Sequence, residues 1–151
     1  MKETFTVSEK ELPELAEKVI QTLSRGYEGG ARVVLLEGDL GAGKTTFTKA
    51  LGQALGIQAE DIFSPTFILK KEHKGEHVLF SRLVHIDAYR FEHEDEAKVL
   101  KLHEDLEKNG TLIVIEWPSQ MGWRDGDITI RFTVLDEETR NIEIEYASSH
   151  A

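Results

Sequence analysis

The chain has no cysteine among its 151 residues. That excludes disulfides, thiolate catalysis and cysteine-held zinc, and it suits a cytosolic protein. No apolar run reaches the length needed to span a bilayer. The opening stretch, "MKETFTVSEKELPELAEKV", has no cationic end followed by an apolar segment, so no secretory signal is expected. No repeat, low-complexity tract or Gly/Ser/Pro linker interrupts the chain, and one domain over 1–151 is the simplest reading. Positive charge is in short supply, with 18 Lys and Arg against 28 Asp and Glu and a formal net charge of −10. An acidic surface disfavours direct binding to DNA, RNA or anionic membrane. A role in a nucleic-acid process would therefore run through protein partners. Lys70 and Lys71 are too few to reverse that balance, although they could form a local contact patch.

The apolar share of 40% and charged share of 30% are those of an ordinary globular protein. "ETFTV" (Glu3–Val7) alternates as a short strand does, and "SEKE" (Ser8–Glu11) has the capping-box pattern. A helix is expected to follow to about Ser24. Pro13 puts its regular part near Leu12 and onward, and Gly26, Gly29 and Gly30 end it. "ARVVLLEG" (Ala31–Gly38) is a continuous apolar run bounded by glycine, which suits a strand buried on both faces of a parallel sheet. Phe47, Ala50, Leu51, Ala54 and Leu55 then recur at helical spacing up to Gly56. Leu69–Arg90 reads as a hairpin turning at His73–His77, with "HVLFSRLVHIDAY" as the return strand. Glu92–Lys108 reads as a helix with Val99, Leu102 and Leu106 on one face and acids elsewhere. "TLIVIEWP" is a second buried strand, and "DITIRFTVL" and "NIEIEYA" form a final hairpin. The fold class is α/β, with a mixed, mainly parallel sheet and antiparallel hairpin additions.

Between the first buried strand and its helix lies Gly38-x-x-x-x-Gly43-Lys44-Thr45, the P-loop pattern. Each fixed position has a physical task. The glycines permit backbone geometry closed to other residues, and the loop then turns its N–H groups inward as an anion nest. Lys44 sets an ammonium, expected at the surface, against the outer phosphates of a nucleotide. Thr45 offers a hydroxyl to Mg²⁺, a hard cation that prefers oxygen. The positive end of the helix dipole adds to the field.

Such a loop needs a carboxylate at the end of a neighbouring strand. Asp87 ends "LVHID" and Glu116 ends "LIVIE", each where a buried strand leaves the sheet. Either could hold the metal or orient a nucleophile. In "SPTF" (Ser64–Phe67), Thr66 could reach the γ-phosphate as a switch segment does, or the stretch could be a plain turn. Trp117 follows Glu116 and by strand alternation points to the opposite side, where it either packs on a nucleotide-proximal loop or, the simpler reading, is core. The six histidines form no metal set, and His85 reads as a core residue.

"GDLGAGKTT", "SPTF", "HIDAYRF" and "IEWP", in that order in so short a chain, resemble the TsaE (YjeE) family of small bacterial P-loop ATPases. The resemblance covers most of the chain. It implies a three-layer P-loop NTPase-like domain without a kinase lid, and slow ATP hydrolysis in the cytoplasm. It also implies partnership with the TsaB–TsaD pair, which makes threonylcarbamoyladenosine (t6A) at position 37 of tRNA. The tRNA would be held only through those partners. Carried over by motif, Gly41, Ala42, Gly43, Lys44, Thr45 and Thr46 would bind ATP. Thr45 and Glu116 would hold Mg²⁺, Asp87 would orient or activate the attacking water, and Thr66 would sense the γ-phosphate. Two departures stand out: Leu12 occupies a place where members often have threonine, and Glu92–Gly110 stays polar where members show an acidic segment leading to glycine.

The alternative reading is a small P-loop kinase for a nucleoside or metabolite. It lacks support from an arginine-rich lid, since only Arg82 and Arg90 occur between Lys71 and Gly110. A GTPase would show Asn-Lys-x-Asp, which is missing. A nucleotide-sensing module without catalysis would not need two candidate acids.

Overall fold

Two continuous apolar runs set the middle of the sheet. In the computed structural model, which describes residues 2–62, 70–93, 95, 98 and 100–147, they pair in parallel. β2 (Ala31–Gly38) is buried along its central residues, and β5 (Thr111–Glu116) is buried at every position. Such unbroken apolar runs need cover on both faces, which only an interior strand receives. The remaining strands are β1 (Lys2–Ser8), β3 (Lys70–Lys74), β4 (Arg82–Asp87), β6 (Ile128–Val134) and β7 (Thr139–Tyr146). The sheet order is β1-β7-β6-β2-β5-β4-β3. β6, β2, β5 and β4 run parallel, while β7 and β3 run against them. The mixed, mainly parallel α/β fold expected from the sequence is the one found.

The helices are α1 (Leu12–Ser24), α2 (Lys44–Ala54) and α3 (Leu102–Leu106). α1 and α2 cover one sheet face, where Leu15, Val19, Leu23, Phe47 and Leu51 meet Leu36, Val114, Ile130 and Ile144. Alternation sends Val33, Leu35, Val84, Ile86, Ile113 and Ile115 to the other face, under Phe91, Leu100, Leu102 and Met121. This second cover ends at β2. Beyond it the face is polar and ion-paired: Arg131 lies 3.3 Å from Glu37 and 3.2 Å from Glu143, and Lys2 lies 3.5 Å from Glu145. The capping box is present, with Ser8 N and Oγ both donating to Glu11 Oε1 at 3.0 and 3.1 Å. It closes a 3-10 turn over Glu9–Glu11, and α1 starts after it at Leu12, as Pro13 suggested.

Two expectations need correction. The return strand of the first hairpin starts at Arg82, not near His77. His77 Nδ1 instead accepts the N–H groups of Leu79 and Phe80, both at 3.1 Å, which closes a loop ahead of the strand. The long helix over Glu92–Lys108 is not formed. Lys101 has φ of 53°, a left-handed geometry that no continuous helix can contain, and α3 spans only Leu102–Leu106. Asp105 lies within α3. It faces inward and is buried, with Lys70 Nζ and Arg82 Nη2 each 2.5 Å from its oxygens. Lys70 also donates to Leu100 O at 2.8 Å.

Burial alone would raise the pKa of Asp105, but hydrogen bonds from Lys70 and Arg82 outweigh it and hold the carboxyl below its ordinary value. A depressed folded pKa contributes stability that is present above the unfolded pKa and drains as pH falls through the folded one. Asp105→Asn is expected to cost about 3 kcal/mol in urea unfolding near neutrality. The gap from the parent should shrink below about pH 4. A gap that stays constant down to pH 3 would show that the charge on Asp105 is not what matters.

Candidate functional site

The parallel register brings three strand ends together. Asp87 pairs with Glu116, and Glu116 with Leu36, two residues before Gly38. The chain leaves β2 through Gly38 and enters α2 at Lys44. Gly38 has no room for a side chain, since a Cβ there would lie 2.7 Å from Phe132 O on β6. Gly43 has φ of 107° and turns the chain into the helix. The first N–H groups of α2 have no carbonyl ahead of them within the helix, so this end suits an anion. A cavity of about 1180 Å³ opens over it, running from Gly41–Thr46 to Ser8, Glu9 and Lys10 at the start of the α1 unit. Leu12 is buried and forms part of that wall, so an apolar surface stands at the first departure from the family pattern.

Lys44 is not the surface ammonium expected from the sequence. It is only 4% exposed. Its Nζ donates to Gly38 O at 2.5 Å and Asp39 O at 2.9 Å, and lies 4.3 Å from the ring centre of Trp117. Burial pulls its pKa below the ordinary lysine value, against the opposing fields of Glu116, Asp87 and Asp39. The loop's own carbonyls thus engage the cation.

Thr45 and Glu116 meet, as the motif reading required. Thr45 Oγ1 donates to both carboxylate oxygens of Glu116, at 2.9 and 3.1 Å. Glu116 is only 2% exposed, and its Oε2 also lies 2.5 Å from His85 Nε2. The hydroxyl and carboxylate are hard oxygen donors and fit Mg²⁺. Among the described residues no three His, Asp or Glu side chains converge on a metal position. An ion held by Thr45 and Glu116 would therefore complete its shell with phosphate oxygens and water, the usual habit of Mg²⁺. Asp87 lines the same cavity, with Oδ1 accepting the Tyr89 N–H at 3.0 Å. Thr66, with the rest of Ser64–Phe67, lies outside the described residues.

Trp117 combines its two readings, over the P-loop lysine and against the second core, but not by strand alternation. Its φ of 59° breaks the strand alternation immediately after Glu116. The ring turns back over Lys44 and packs on Tyr89, centroids 4.9 Å apart, while its other side touches the second core. Nothing in the local sequence announces that left-handed residue. Arg140, on β7, also escaped the sequence reading. Its Nε donates to Ala42 O at 3.1 Å and its Nη2 to Gly41 O at 3.4 Å. These bonds tie two P-loop carbonyls to β7, and Arg140 lines the same cavity as the loop. Arg140→Ala is expected to weaken nucleotide binding about 3- to 10-fold, the worth of about 1 kcal/mol of hydrogen bonding. Calorimetric titration would read it, and an unchanged Kd would mean that the loop keeps its shape unaided.

Comparison with known proteins gives a consistent set of likenesses. Residues 6–142 match the family model described as threonylcarbamoyl adenosine biosynthesis protein TsaE. The chain is 33% identical over 145 residues to the tRNA threonylcarbamoyladenosine biosynthesis protein TsaE of Aquifex aeolicus, across 95% of this chain and 96% of that one. It is 44% identical over 100 residues to the protein of that name from Bacillus subtilis, across 66% of this chain and 59% of the relative. The crystal structure of Bacillus subtilis YdiB superposes with a TM-score of 0.69 at 26% identity, covering 99% of this chain and 88% of that one.

Proposed function

The chain belongs to the TsaE family, and from that premise we propose that it binds ATP, hydrolyses it slowly, and serves the TsaB–TsaD pair in forming t6A at adenosine 37 of tRNA. The relatives' names carry tRNA threonylcarbamoyladenosine biosynthesis, and the P-loop NTPase-like fold carries nucleotide binding. The observation that supports catalysis best is the contact of Thr45 Oγ1 with Glu116 at 2.9 Å, beside Lys44 at the mouth of α2.

In this reading the amides of Gly41–Thr46 bind the phosphates. Lys44 leaves the carbonyls of Gly38 and Asp39 for the outer phosphate oxygens, which are stronger acceptors because they are charged. Thr45 and Glu116 hold Mg²⁺, which neutralises phosphate charge when bound. Asp87, at the neighbouring strand end, orients the attacking water and takes its proton. Thr66 senses the γ-phosphate. Residues 1–151 act as one P-loop ATPase domain in the cytoplasm. With a net charge of −10, the protein leaves tRNA to its partners.

Arg82, one of the two arginines that a kinase lid could draw on, is engaged with Asp105 and Glu72. No helix among the described residues is long and apolar enough to cross a membrane. The deciding experiment follows γ-labelled ATP with the protein alone and with the TsaB–TsaD pair. Label released as inorganic phosphate, at a rate or in a complex that depends on the pair, is the expected result. Label on a small acceptor, indifferent to the pair, would replace this reading with a kinase.

A further inference from the structure

His85 has no part in the function proposed above, yet it is fully buried directly behind the metal-holding pair. On β4 it sits one step behind Asp87, opposite Val114 on β5, and it shares the α2 side of the sheet with Leu83, Leu112 and Val114. Its Nε2 lies 2.5 Å from Glu116 Oε2. Its Nδ1 is buried and has no hydrogen-bond partner among the described residues. Only one tautomer satisfies this arrangement. The proton sits on Nε2 and is donated to the carboxylate, because a proton on Nδ1 would leave a buried donor unpaired and set two lone pairs face to face.

The consequence for Glu116 is geometric. A carboxylate at a strand end can rotate about its terminal bond. Fixing Oε2 from below with an immobile ring stops that rotation and keeps Oε1 on the Thr45 hydroxyl, 2.9 Å away. Among the described residues nothing accepts a proton from its second nitrogen. Resting on the assignment of Glu116 to the divalent cation, we propose that His85 is a positioning residue that holds Glu116 for the metal. It acts on metal affinity and leaves metal-free nucleotide binding alone. Hydrogen-bond partners behind metal ligands characteristically contribute about 10- to 100-fold in metal affinity.

The test compares the parent with His85→Leu, which fills the apolar site without a donor, and His85→Gln, whose amide N–H can reach the Nε2 position. Mn²⁺ binding to the ATP-loaded proteins is read by electron paramagnetic resonance, and ATP binding in EDTA by calorimetry. His85→Leu should bind Mn²⁺ about 10- to 100-fold more weakly, with unchanged ATP affinity in EDTA. His85→Gln should recover most of the loss. Parental Mn²⁺ affinity in His85→Leu would overturn the proposal. So would an equal loss of metal-free ATP affinity, or a Gln variant as impaired as the Leu variant. Nitrogen-15 spectra of the parent's imidazole test the same point without any variant: a proton on Nδ1 overturns the proposal even if His85→Leu does not fold. A parent that binds neither ATP nor Mn²⁺–ATP would overturn the ATPase reading and this inference with it. Loss confined to the variants speaks of His85 alone.

Discussion

Lys44→Ala is expected to lower ATP turnover by about 10²- to 10³-fold, the usual effect of removing one electrostatic stabiliser aimed at developing charge. ATP affinity should fall as well, because among the described lining residues the other lysine, Lys10, sits at the start of the α1 unit and not on the loop. The fold should survive at a modest cost. In the parent the Lys44 ammonium satisfies the carbonyls of Gly38 and Asp39. Its removal leaves them to water or unpaired, which costs about 1–2 kcal/mol in a partly buried loop. Tryptophan emission offers a second readout. The Lys44 ammonium lies 4.3 Å from the centre of the Trp117 ring. Withdrawal of Lys44 toward phosphate should change that emission on titration with ATP. The alanine variant should lack this change even at ATP concentrations that saturate it. Parental binding and hydrolysis in a folded Lys44→Ala protein would remove the phosphate site from this loop altogether.

Glu116→Gln should separate the metal from the nucleotide. The substitution keeps the side-chain volume and one carbonyl oxygen for the Thr45 and His85 donors, so the buried site stays filled. It removes the charge that would bind Mg²⁺. Mg²⁺-dependent turnover is expected to fall by about 100-fold. ATP binding in EDTA should be unchanged or tighter, because an acidic group beside the bare phosphates repels them. The opposing signs make the prediction strict. Equal weakening with and without Mg²⁺ would mean that Glu116 supports the loop and does not hold the metal. The alanine version is a poorer test, since it strands the buried His85 N–H as well.

The residues that could be read from the sequence are those whose role depends on near neighbours. The P-loop is one continuous stretch, and Thr45 sits at its fixed offset. Glu116 announced itself by ending an apolar run. The strands β2 and β5 showed in unbroken hydrophobicity, and β6 and β7 in alternation. What stayed hidden depends on contacts between distant parts of the chain. Arg140 grips Gly41 and Ala42 from the far end of the sheet. His85 meets Glu116 only because β4 and β5 pair in one particular register, and parity alone could not supply that register. Asp105 looked like one acid among many in a polar segment. Lys70 and Arg82, on two other elements, draw it inward. The left-handed backbone angle at Trp117, which turns its ring over Lys44, had no local signal.

The pairing of β1 with β7 has a consequence of a different kind. Lys2–Ser8 lies against Thr139–Tyr146, the earliest described strand against the latest. During synthesis β1 must wait, unpaired, until Thr139–Tyr146 has emerged. Contacts of such long sequence separation slow folding, because the loop must close before the pairing rewards it. The same late strand carries Arg140. The sheet edge that supports α1 and the grip on the phosphate loop are therefore completed in one event. A nascent chain that has not yet made β7 holds the full P-loop sequence but lacks the Arg140 contacts to Gly41 and Ala42.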